Sequence, residues 1–330
     1  MKKRILALVM AMTMMITGSI GCGTDKQETK TAEETVTLNI AYQYGLAYAP
    51  LIIAKEQQLI ETAYKEATGK DVTVVWNQMN SGADINTGIA SGNLDVGFMG
   101  IAPAITGVVK NVGYKIFTNL SGQEHCMMTN DSSITSFDDV INSENQIALV
   151  NVGSIQHIIL AKALHENGYD AHALDSNLVV MKHPDGMAAL ESGSVSCHVT
   201  SSPYIYMERE KDNLYEIEEV TNAWTKDNSF IVGVASESLY ENNKEVYDAL
   251  SEGISDAIDY LNSNTEEAAA LTCEFNGNSL EDELTYLQAG NYTIETNGVY
   301  ELAAFMKETG FIEELPASYS DFVFENVTGD

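Results

Sequence analysis

Apolar and polar positions follow two different periods along the chain. The segment VTLNIAY alternates residue by residue and predicts a strand that ends near Tyr42. Pro50 then opens a helical pattern over residues 50–66, since proline suits a first helical turn. Three further elements follow from the same patterns: a strand at 72–76, a helix at 83–91 and a strand at 94–99. This order is typical of an α/β lobe.

A second α/β rhythm begins after a further strand, YKIFTNL, within residues 108–120. It comprises a strand at 146–150, a helix IQHIILAKALHENG, a strand LVVMKH, a turn PDG, a helix MAALESG, and a strand at 196–200 followed by the loop SSPY. The segment FIVGVAS predicts a strand that returns to the first lobe. The remainder, from Ser238, is helical in period, and we expect it to pack against the first lobe without a site of its own.

The chain leaves the first α/β segment for the second and later returns to the first. These two passages predict two lobes joined by a hinge. We assign residues 36–122 and 228–330 to lobe 1 and residues 123–227 to lobe 2. The predicted fold class is α/β.

The first 22 residues, MKKRILALVMAMTMMITGSIGC, combine a basic start, an apolar run and small residues before a cysteine. Residues 1–21 therefore predict an export signal, which is excluded from the fold. The segment resembles a bacterial lipoprotein signal, in which Cys22 carries the lipid, although Ser19 stands where such signals usually have Leu. The alternative is an ordinary cleaved signal with a free Cys22. Residues 22–35 are polar and predict a flexible tether.

The charge balance is strongly acidic, with 17 basic and 48 acidic residues. Removal of the three basic residues of the signal leaves 14 against 48, a net charge of −34. Nucleic acid and an anionic lipid surface are therefore poor partners. No later segment has the roughly 18 consecutive apolar residues of a membrane span, so we expect attachment to the membrane by the lipid anchor only. Arg209 is the only arginine beyond the signal, so an anionic ligand has to meet amides, hydroxyls, a histidine or a lysine.

Candidate ligand loops lie at three predicted strand ends, because ligands of open α/β sheets bind at the carboxyl ends of strands. The stretch GNLDVGFMGIAPA contains one of them, and small residues in all three loops let a ligand approach the backbone. The loops are Gln43-Tyr44-Gly45, Asn80-Ser81-Gly82 and Gly100-Ile101-Ala102-Pro103. The stretch contains no nucleophile, metal cage or phosphate-binding glycine loop, so we expect binding without chemistry.

Cysteine and histidine spacing does not indicate a metal site. Cys126, Cys197 and Cys273 show no CxxC spacing; Cys126 and Cys197 either pair or remain buried thiols. All six histidines lie between His125 and His198, but none forms an HxH or i, i+4 pair. We expect no metal and no cofactor.

Some side chains could face either the core or a ligand. His125, beside the predicted hinge, and His183, before Pro184, are candidate ligand contacts. Tyr204 could stack on a planar ligand or pack in the core, whereas core packing is favoured for Trp76. Several rings in the cleft would favour a heteroaromatic ligand.

Five motifs in order resemble a known family: IAYQYGLAYAPLIIAKE, Ser81-Gly82, LDVGFMGIAPA, GSIQH and DGMAALESG. They are similar to the solute-binding proteins of bacterial ABC importers for nitrate, taurine, alkanesulfonates, bicarbonate and thiamine pyrimidine precursors. The resemblance covers residues 36–265. It implies a two-lobed type II periplasmic-binding-protein fold that closes on its ligand.

The resemblance also implies where the ligand binds. Its ligand loops fall on Gln43, Tyr44, Ser81, Gly82, Gly100, Ile101, Ala102, Ser121, Gly122, Gly153 and Ser154. Ser154 can act as a helix N-cap, as a ligand contact, or as both.

We expect a monomeric, lipid-anchored protein at the cell surface or in the periplasm. It would deliver a small ligand, such as a sulfonate or related anion, to an ABC permease and its ATPase. A heteroaromatic ligand such as a thiamine pyrimidine precursor is one alternative. An enzyme on the same fold is a weaker alternative because no nucleophile and base are placed together, and a sensor with the same closed state also remains open.

Overall fold

Two five-stranded mixed sheets organise the protein. The computed structural model describes residues 36–141 and 143–330, so the predicted signal, Cys22 and the tether lie outside the described residues. The strands are β1 (Val36–Tyr42), β2 (Val72–Gln78), β3 (Val96–Gly100), β4 (Tyr114–Ser121), β5 (His125–Thr129), β6 (Ile147–Leu149), β7 (Leu178–Val180), β8 (Cys197–Ser201), β9 (Tyr215–Ile217) and β10 (Ile231–Ser236).

Fourteen helices are described around these sheets. They are α1 (Ala49–Glu56), α2 (Leu59–Thr68), α3 (Gly82–Ala90), α4 (Ile101–Val109), α5 (Phe137–Ile141), α6 (Ile155–Glu166), α7 (His183–Glu191), α8 (Tyr204–Arg209), α9 (Glu218–Thr221), α10 (Glu237–Asn242), α11 (Lys244–Ser263), α12 (Thr265–Asn276), α13 (Leu280–Ala289) and α14 (Val299–Glu308). No helix within the described part of the chain is both long and apolar enough to cross a membrane.

Each sheet contains parallel strands and one strand that runs against its neighbours. The first sheet has the order β2-β1-β3-β10-β4, in which β10 is antiparallel to β3 and β4. The second has the order β7-β6-β8-β5-β9, in which β5 is antiparallel to β8 and β9. Strand β10 follows the whole second sheet in sequence but lies in the first. The chain therefore passes between the sheets twice, which confirms the predicted two-lobed α/β fold.

The centre of the first sheet explains the pattern of LDVGFMG. All five residues of β3 are buried, because it lies between β1 and β10 and is covered on both faces. Asp95 precedes the strand, and its carboxylate accepts hydrogen bonds from the backbone and side-chain amides of Asn39 at 2.8 and 3.1 Å. The acidic turn therefore fixes the start of β3 against β1.

Several predicted element boundaries were wrong. The helix expected over residues 50–66 is two helices, because Gln58 has a left-handed backbone with φ 52°. The predicted turn PDG is the first turn of α7, and Pro184 fits there because a first-turn proline has no amide to satisfy. The loop SSPY leads directly into α8, which the sequence pattern did not predict.

The C-terminal part was expected to pack against the first lobe, but it also contacts the second. Phe311, after α14, packs edge-on against His157 of α6, with ring centroids 5.2 Å apart. His172 Nε2 lies 2.7 Å from the carbonyl oxygen of Thr309. The segment also contacts α4 of the first lobe. It therefore connects the two lobes along one flank.

Candidate functional site

A cavity of about 700 Å³ lies between the two lobes, where strands of both sheets end. Nine of the predicted site residues line it: Gln43, Tyr44, Ser81, Gly82, Gly100, Gly153, Ser154, His183 and Tyr204. Whether they contact a ligand stays a prediction. Residues of the loops GSIQH and SSPY line the cavity together with residues of the GIAPA loop.

Five predicted site residues lie behind the cavity wall. Ile101 is fully buried and its amide donates to the carbonyl oxygen of Phe230 at 2.9 Å, so this amide is committed to the fold. Gly122 exchanges backbone hydrogen bonds with Asn291 at 2.7 and 3.0 Å. The other three, Ala102, Ser121 and His125, are completely buried. None of these five lines the cavity, although the hydroxyl of Ser121 and both ring nitrogens of His125 have no hydrogen-bond partner among the described residues.

Helices from both lobes begin at the cavity. Ser81 caps α3 by accepting a hydrogen bond from the amide of Asp84 at 3.1 Å, and Gly100 precedes α4. Ser154 caps α6 and also lines the cavity, so it acts as an N-cap while remaining available to a ligand. The positive ends of helix dipoles favour negative charge. The wall therefore offers a favourable potential to an anion.

His157 fixes the loop before α6. Its Nδ1 accepts a hydrogen bond from the amide of Gly153 at 3.0 Å, which leaves Nε2 to donate to Asp175 at 3.0 Å. Gly153 has φ 78°, a left-handed conformation that favours glycine. This second layer of contacts orients the amides at the start of α6 toward the cavity.

The charge of the wall is opposite in sign to that of the chain. Among the 34 described residues that line the cavity, none is Asp or Glu, and two are lysines, Lys110 and Lys182. About one residue in seven of the whole chain is acidic. Arg209 is not available, because it pairs with Glu124 at 2.8 Å and with Glu216 at 2.9 Å. The cationic side chains of the site are therefore lysines.

Aromatic rings occupy both sides of the cavity. Tyr44 is 57% exposed, and Lys182 of the opposite lobe lies 5.6 Å from its ring centroid. Tyr204 stacks on His183 with centroids 5.5 Å apart. Trp76 packs edge-on against Tyr42 and Trp224 is buried, and neither lines the cavity.

A chain of hydrogen-bonding side chains, here called the relay, leads from the core of the second lobe to the cavity. Glu208 Oε1 lies 2.6 Å from His198 Nδ1, and His198 Nε2 lies 3.2 Å from His183 Nδ1. His183 Nε2 ends the relay, 3.3 Å from Gln156 Nε2 and 3.5 Å from Ser201 Oγ. An added Cβ at Gly186 would lie 2.8 Å from His198 Nε2, so glycine lets α7 cover the ring.

Burial governs the ionisation of the relay. Desolvation raises the pKa of Glu208 to about 8, with a further contribution from the charge of Glu191. Desolvation also lowers the pKa of His198 to about 3 and, with the charge of His198, that of His183 to about 3. At neutral pH the relay is therefore uncharged, with a protonated carboxyl group and neutral imidazoles.

The arrangement of the described side chains does not indicate a metal site or a reactive thiol. No group of three or more His, Cys, Asp or Glu side chains arranged for a metal ion occurs within the described ranges. Cys126 and Cys197 are buried free thiols, and Cys273 is a partly buried free thiol. Burial raises the pKa of the Cys197 thiol to about 11, which disfavours the reactive thiolate.

Several residues that line the cavity were not predicted from the sequence. Met306 and Phe311 come from the C-terminal segment, and Lys110 and Lys182 had no motif around them. Gln156 lies inside the motif GSIQH, so its place in that motif was the available signal. The connection of Glu208 to His183 had no sequence signal, because the three members of the relay are 10 and 15 residues apart.

The two sheets and the cavity between them define the two-lobed, type II periplasmic-binding-protein fold. The chain belongs to the NMT1-like family, which matches residues 31–275, about three quarters of its length. This match and the relatives below confirm the resemblance to the nitrate, taurine and sulfonate group.

Known proteins of this class resemble the chain over most of its length. The taurine-binding periplasmic protein of Escherichia coli (strain K12) is 24% identical over 312 residues, covering 88% of this chain and 93% of the relative. The alkanesulfonate-binding protein SsuA from Xanthomonas axonopodis pv. citri, solved with MOPS, has a TM-score of 0.71 at 14% identity over 89% of this chain and 99% of its own. The nitrate-binding protein NrtA from Synechocystis PCC 6803 has a TM-score of 0.67 at 15% identity, with coverages of 87% and 84%. These structures share the fold.

Proposed function

We propose that this protein captures a small organic anion of the sulfonate class outside the cytoplasm and presents it to an ABC permease and its ATPase. The observation that carries the proposal is the charge of the cavity: lysines and helix N-termini face it, and the described wall has no carboxylate in a chain of net charge −31. The taurine- and alkanesulfonate-binding relatives support the same class.

The dimensions of the cavity favour a sulfonate with an organic tail over a bare oxyanion. Residues at both ends of α4 line the cavity, from Gly100 to Lys110. At 1.5 Å per residue this wall is about 15 Å long. Apolar side chains such as Val112 and Phe311 also line the cavity and would pack against a tail.

The second candidate ligand is a heteroaromatic molecule such as a thiamine pyrimidine precursor. It is favoured by the exposed ring of Tyr44 and the ring of Tyr204, which lie in the cavity wall. A planar ligand could stack on either ring.

Titration calorimetry separates the two ligand classes. The panel comprises ethanesulfonate, taurine, nitrate, bicarbonate, a hydroxymethylpyrimidine and the uncharged isostere ethanesulfonamide. Ethanesulfonate should bind and ethanesulfonamide should not. Tight binding of the pyrimidine without measurable binding of the sulfonates would instead support the second candidate. No measurable binding of any compound would contradict both.

Lysine variants test the origin of the charge preference. The pair Lys110→Ala and Lys182→Ala together should weaken ethanesulfonate binding by about tenfold at low salt, because a lost lysine–anion attraction near the surface is worth on the order of 1 kcal/mol. Lys65→Ala is the matched control, since Lys65 is exposed, pairs with Asp71 and does not line the cavity. An equal loss in this control would assign the effect to long-range charge alone.

The location and assembly belong to the same proposal. We place the protein in the periplasm or at the cell surface as a monomer, held by a lipid on Cys22. The basic start, apolar run and small residues before Cys22 support this placement. The variant Cys22→Ser should move the protein from the membrane fraction to the soluble fraction, and an unchanged membrane fraction would argue against the anchor.

A further inference from the structure

His183 Nε2 is the cavity end of the relay, and its hydrogen-bonding role depends on how many protons the relay holds. The relay has three hydrogen positions: between Glu208 and His198, between His198 and His183, and at His183 Nε2 itself. Three protons fill all three positions, and Nε2 is then an N–H donor. This holds whether the first proton lies on the Glu208 carboxyl or on His198 Nδ1, because both forms are uncharged overall. In this state Gln156, whose Nε2 lies 3.3 Å from His183 Nε2, has to turn its amide so that Oε1 faces the ring.

Loss of one proton from the relay changes His183 Nε2, at the cavity end, from a hydrogen-bond donor to an acceptor. The carboxylate of Glu208 then accepts from His198 Nδ1–H, and His198 Nε2 accepts from His183 Nδ1–H. His183 Nε2 is left with a lone pair and becomes an acceptor, while the relay as a whole carries one negative charge. An anion meets a donor in the first state and a lone pair above a buried negative charge in the second.

We propose that sulfonate capture is linked to protonation of the relay. The cavity binds the anion with His183 Nε2 as a donor, and a protein whose relay holds only two protons takes up one proton when the sulfonate binds. This inference rests on the proposed function, because it names the donor and the proton linkage of the same site. The proton comes from solvent and stays on the relay, and no covalent bond of the ligand changes.

The burial of Glu208 supports the three-proton state in the free protein. Both Glu208 and His198 have completely buried side chains. Glu208 Oε2 is buried without a hydrogen-bond partner among the described residues, which a carboxylate tolerates far less well than a carboxyl group. The pKa of Glu208, raised to about 8, agrees with this geometry.

Other titratable and charged groups around the relay are few. Glu191 contributes negative charge near Glu208 and pairs with Lys211 at 2.7 Å. The remaining neighbours are His125 and Cys126 of β5, Tyr204 of α8, and Lys182 and Asp185 at the start of α7, and burial raises the pKa of the Cys126 thiol. Burial keeps His125 neutral by lowering its pKa to about 3. Glu208 is therefore the member of this group expected to titrate between pH 7 and 9.5.

The first test is the pH profile of ethanesulfonate binding, since this ligand stays an anion throughout. Its dissociation constant should rise about 30-fold from pH 7 to pH 9.5, because only the fraction of protein with a protonated relay binds. Calorimetry at pH 9 in Tris and in triethanolamine, which differ in ionisation enthalpy, should show uptake approaching one proton per sulfonate. Sulfonate buffers are avoided because they would compete.

Two carboxamide variants identify the responsible group. Glu208→Gln keeps a side chain that can donate to His198 Nδ1, so its dissociation constants at pH 7 and 9.5 should agree within about twofold and proton uptake should vanish. Glu191→Gln is the matched control. It should keep the pH dependence, with a midpoint at lower pH, because it removes a negative charge that raises the pKa of Glu208.

The outcomes distinguish this inference from the proposed function. Binding of ethanesulfonate with a flat pH profile and no proton uptake in the wild-type protein overturns the relay inference alone, even if Glu208→Gln does not fold. A steep profile that persists in folded Glu208→Gln also overturns it. Failure of ethanesulfonate to bind at any pH overturns both proposals.

Discussion

Buried polar residues carry the most information at the scale of single residues. His125 is fully buried, packs edge-on against Phe230 with centroids 4.5 Å apart, and has no hydrogen-bond partner for either ring nitrogen within the described residues. Desolvation lowers its pKa to about 3, and the charge of His183 adds to the effect. The folded protein therefore keeps His125 neutral at pH values where an unfolded chain protonates it.

Replacement of this histidine tests the resulting linkage. The folded pKa lies below the ordinary value of 6.5, so the unfolded state binds the additional proton and stability is lost as pH falls from 6.5 toward 3. Between pH 7 and 5 the loss attributable to His125 is about 2 kcal/mol. His125→Phe should therefore lose about 2 kcal/mol less than the wild type over this interval, as measured by urea unfolding.

The same exchange at His165 is the control for aromatic substitution, since that side chain is 42% exposed. Equal pH dependence in His125→Phe and the wild type would show that His125 is hydrated or paired in solution.

At the scale of elements, the start of α4 and the start of α6 meet across the lobes. An added Cβ at Gly100 would lie 2.8 Å from Cγ2 and 3.1 Å from Cβ of Ile155. Gly100 is therefore a point of close contact between the lobes as well as the end of β3. A larger residue there has to move one helix start away from the other.

The variant Gly100→Ala should weaken ethanesulfonate binding by at least fivefold, because overpacking costs on the order of 1–3 kcal/mol and separates the two helix starts at the cavity. Ile155→Ala removes the Cγ2 atom, so the double variant should recover part of the loss in calorimetry. A double variant that is weaker than both single variants would indicate that Gly100 acts through backbone conformation and not through this contact.

Element prediction from sequence succeeded where tertiary packing agrees with local pattern. The strand ending at Tyr42 and the helix after Ser154 have clear periods, and both are present. The break at Gln58 has no glycine or proline signal, and its left-handed conformation accompanies the packing of α2 against α11. The candidate site was predictable in its strand-end loops, but the relay was not, because its members meet only when α7 and α8 pack against β8.

At the scale of the whole molecule, the two lobes enclose a cavity whose charge opposes that of the chain. Lys182 of the second lobe lies over Tyr44 of the first, and the C-terminal segment contacts both lobes on one flank. Closure around a ligand would bring further donors onto the anion and exclude water from it. The acid-free wall of the described residues, the relay and these contacts between the lobes together support the proposed capture of an anion without arginine.

A crystal structure of the protein grown with ethanesulfonate tests this account most directly. We predict density for the sulfonate between the lobes, with an oxygen within hydrogen-bond distance of His183 Nε2 and others on the hydroxyls and amides at Ser81 or Ser154. Lys182 should lie closer to Tyr44 than the 5.6 Å of the present structure if the lobes close. A saturating complex with the sulfonate bound outside this cavity would contradict the account.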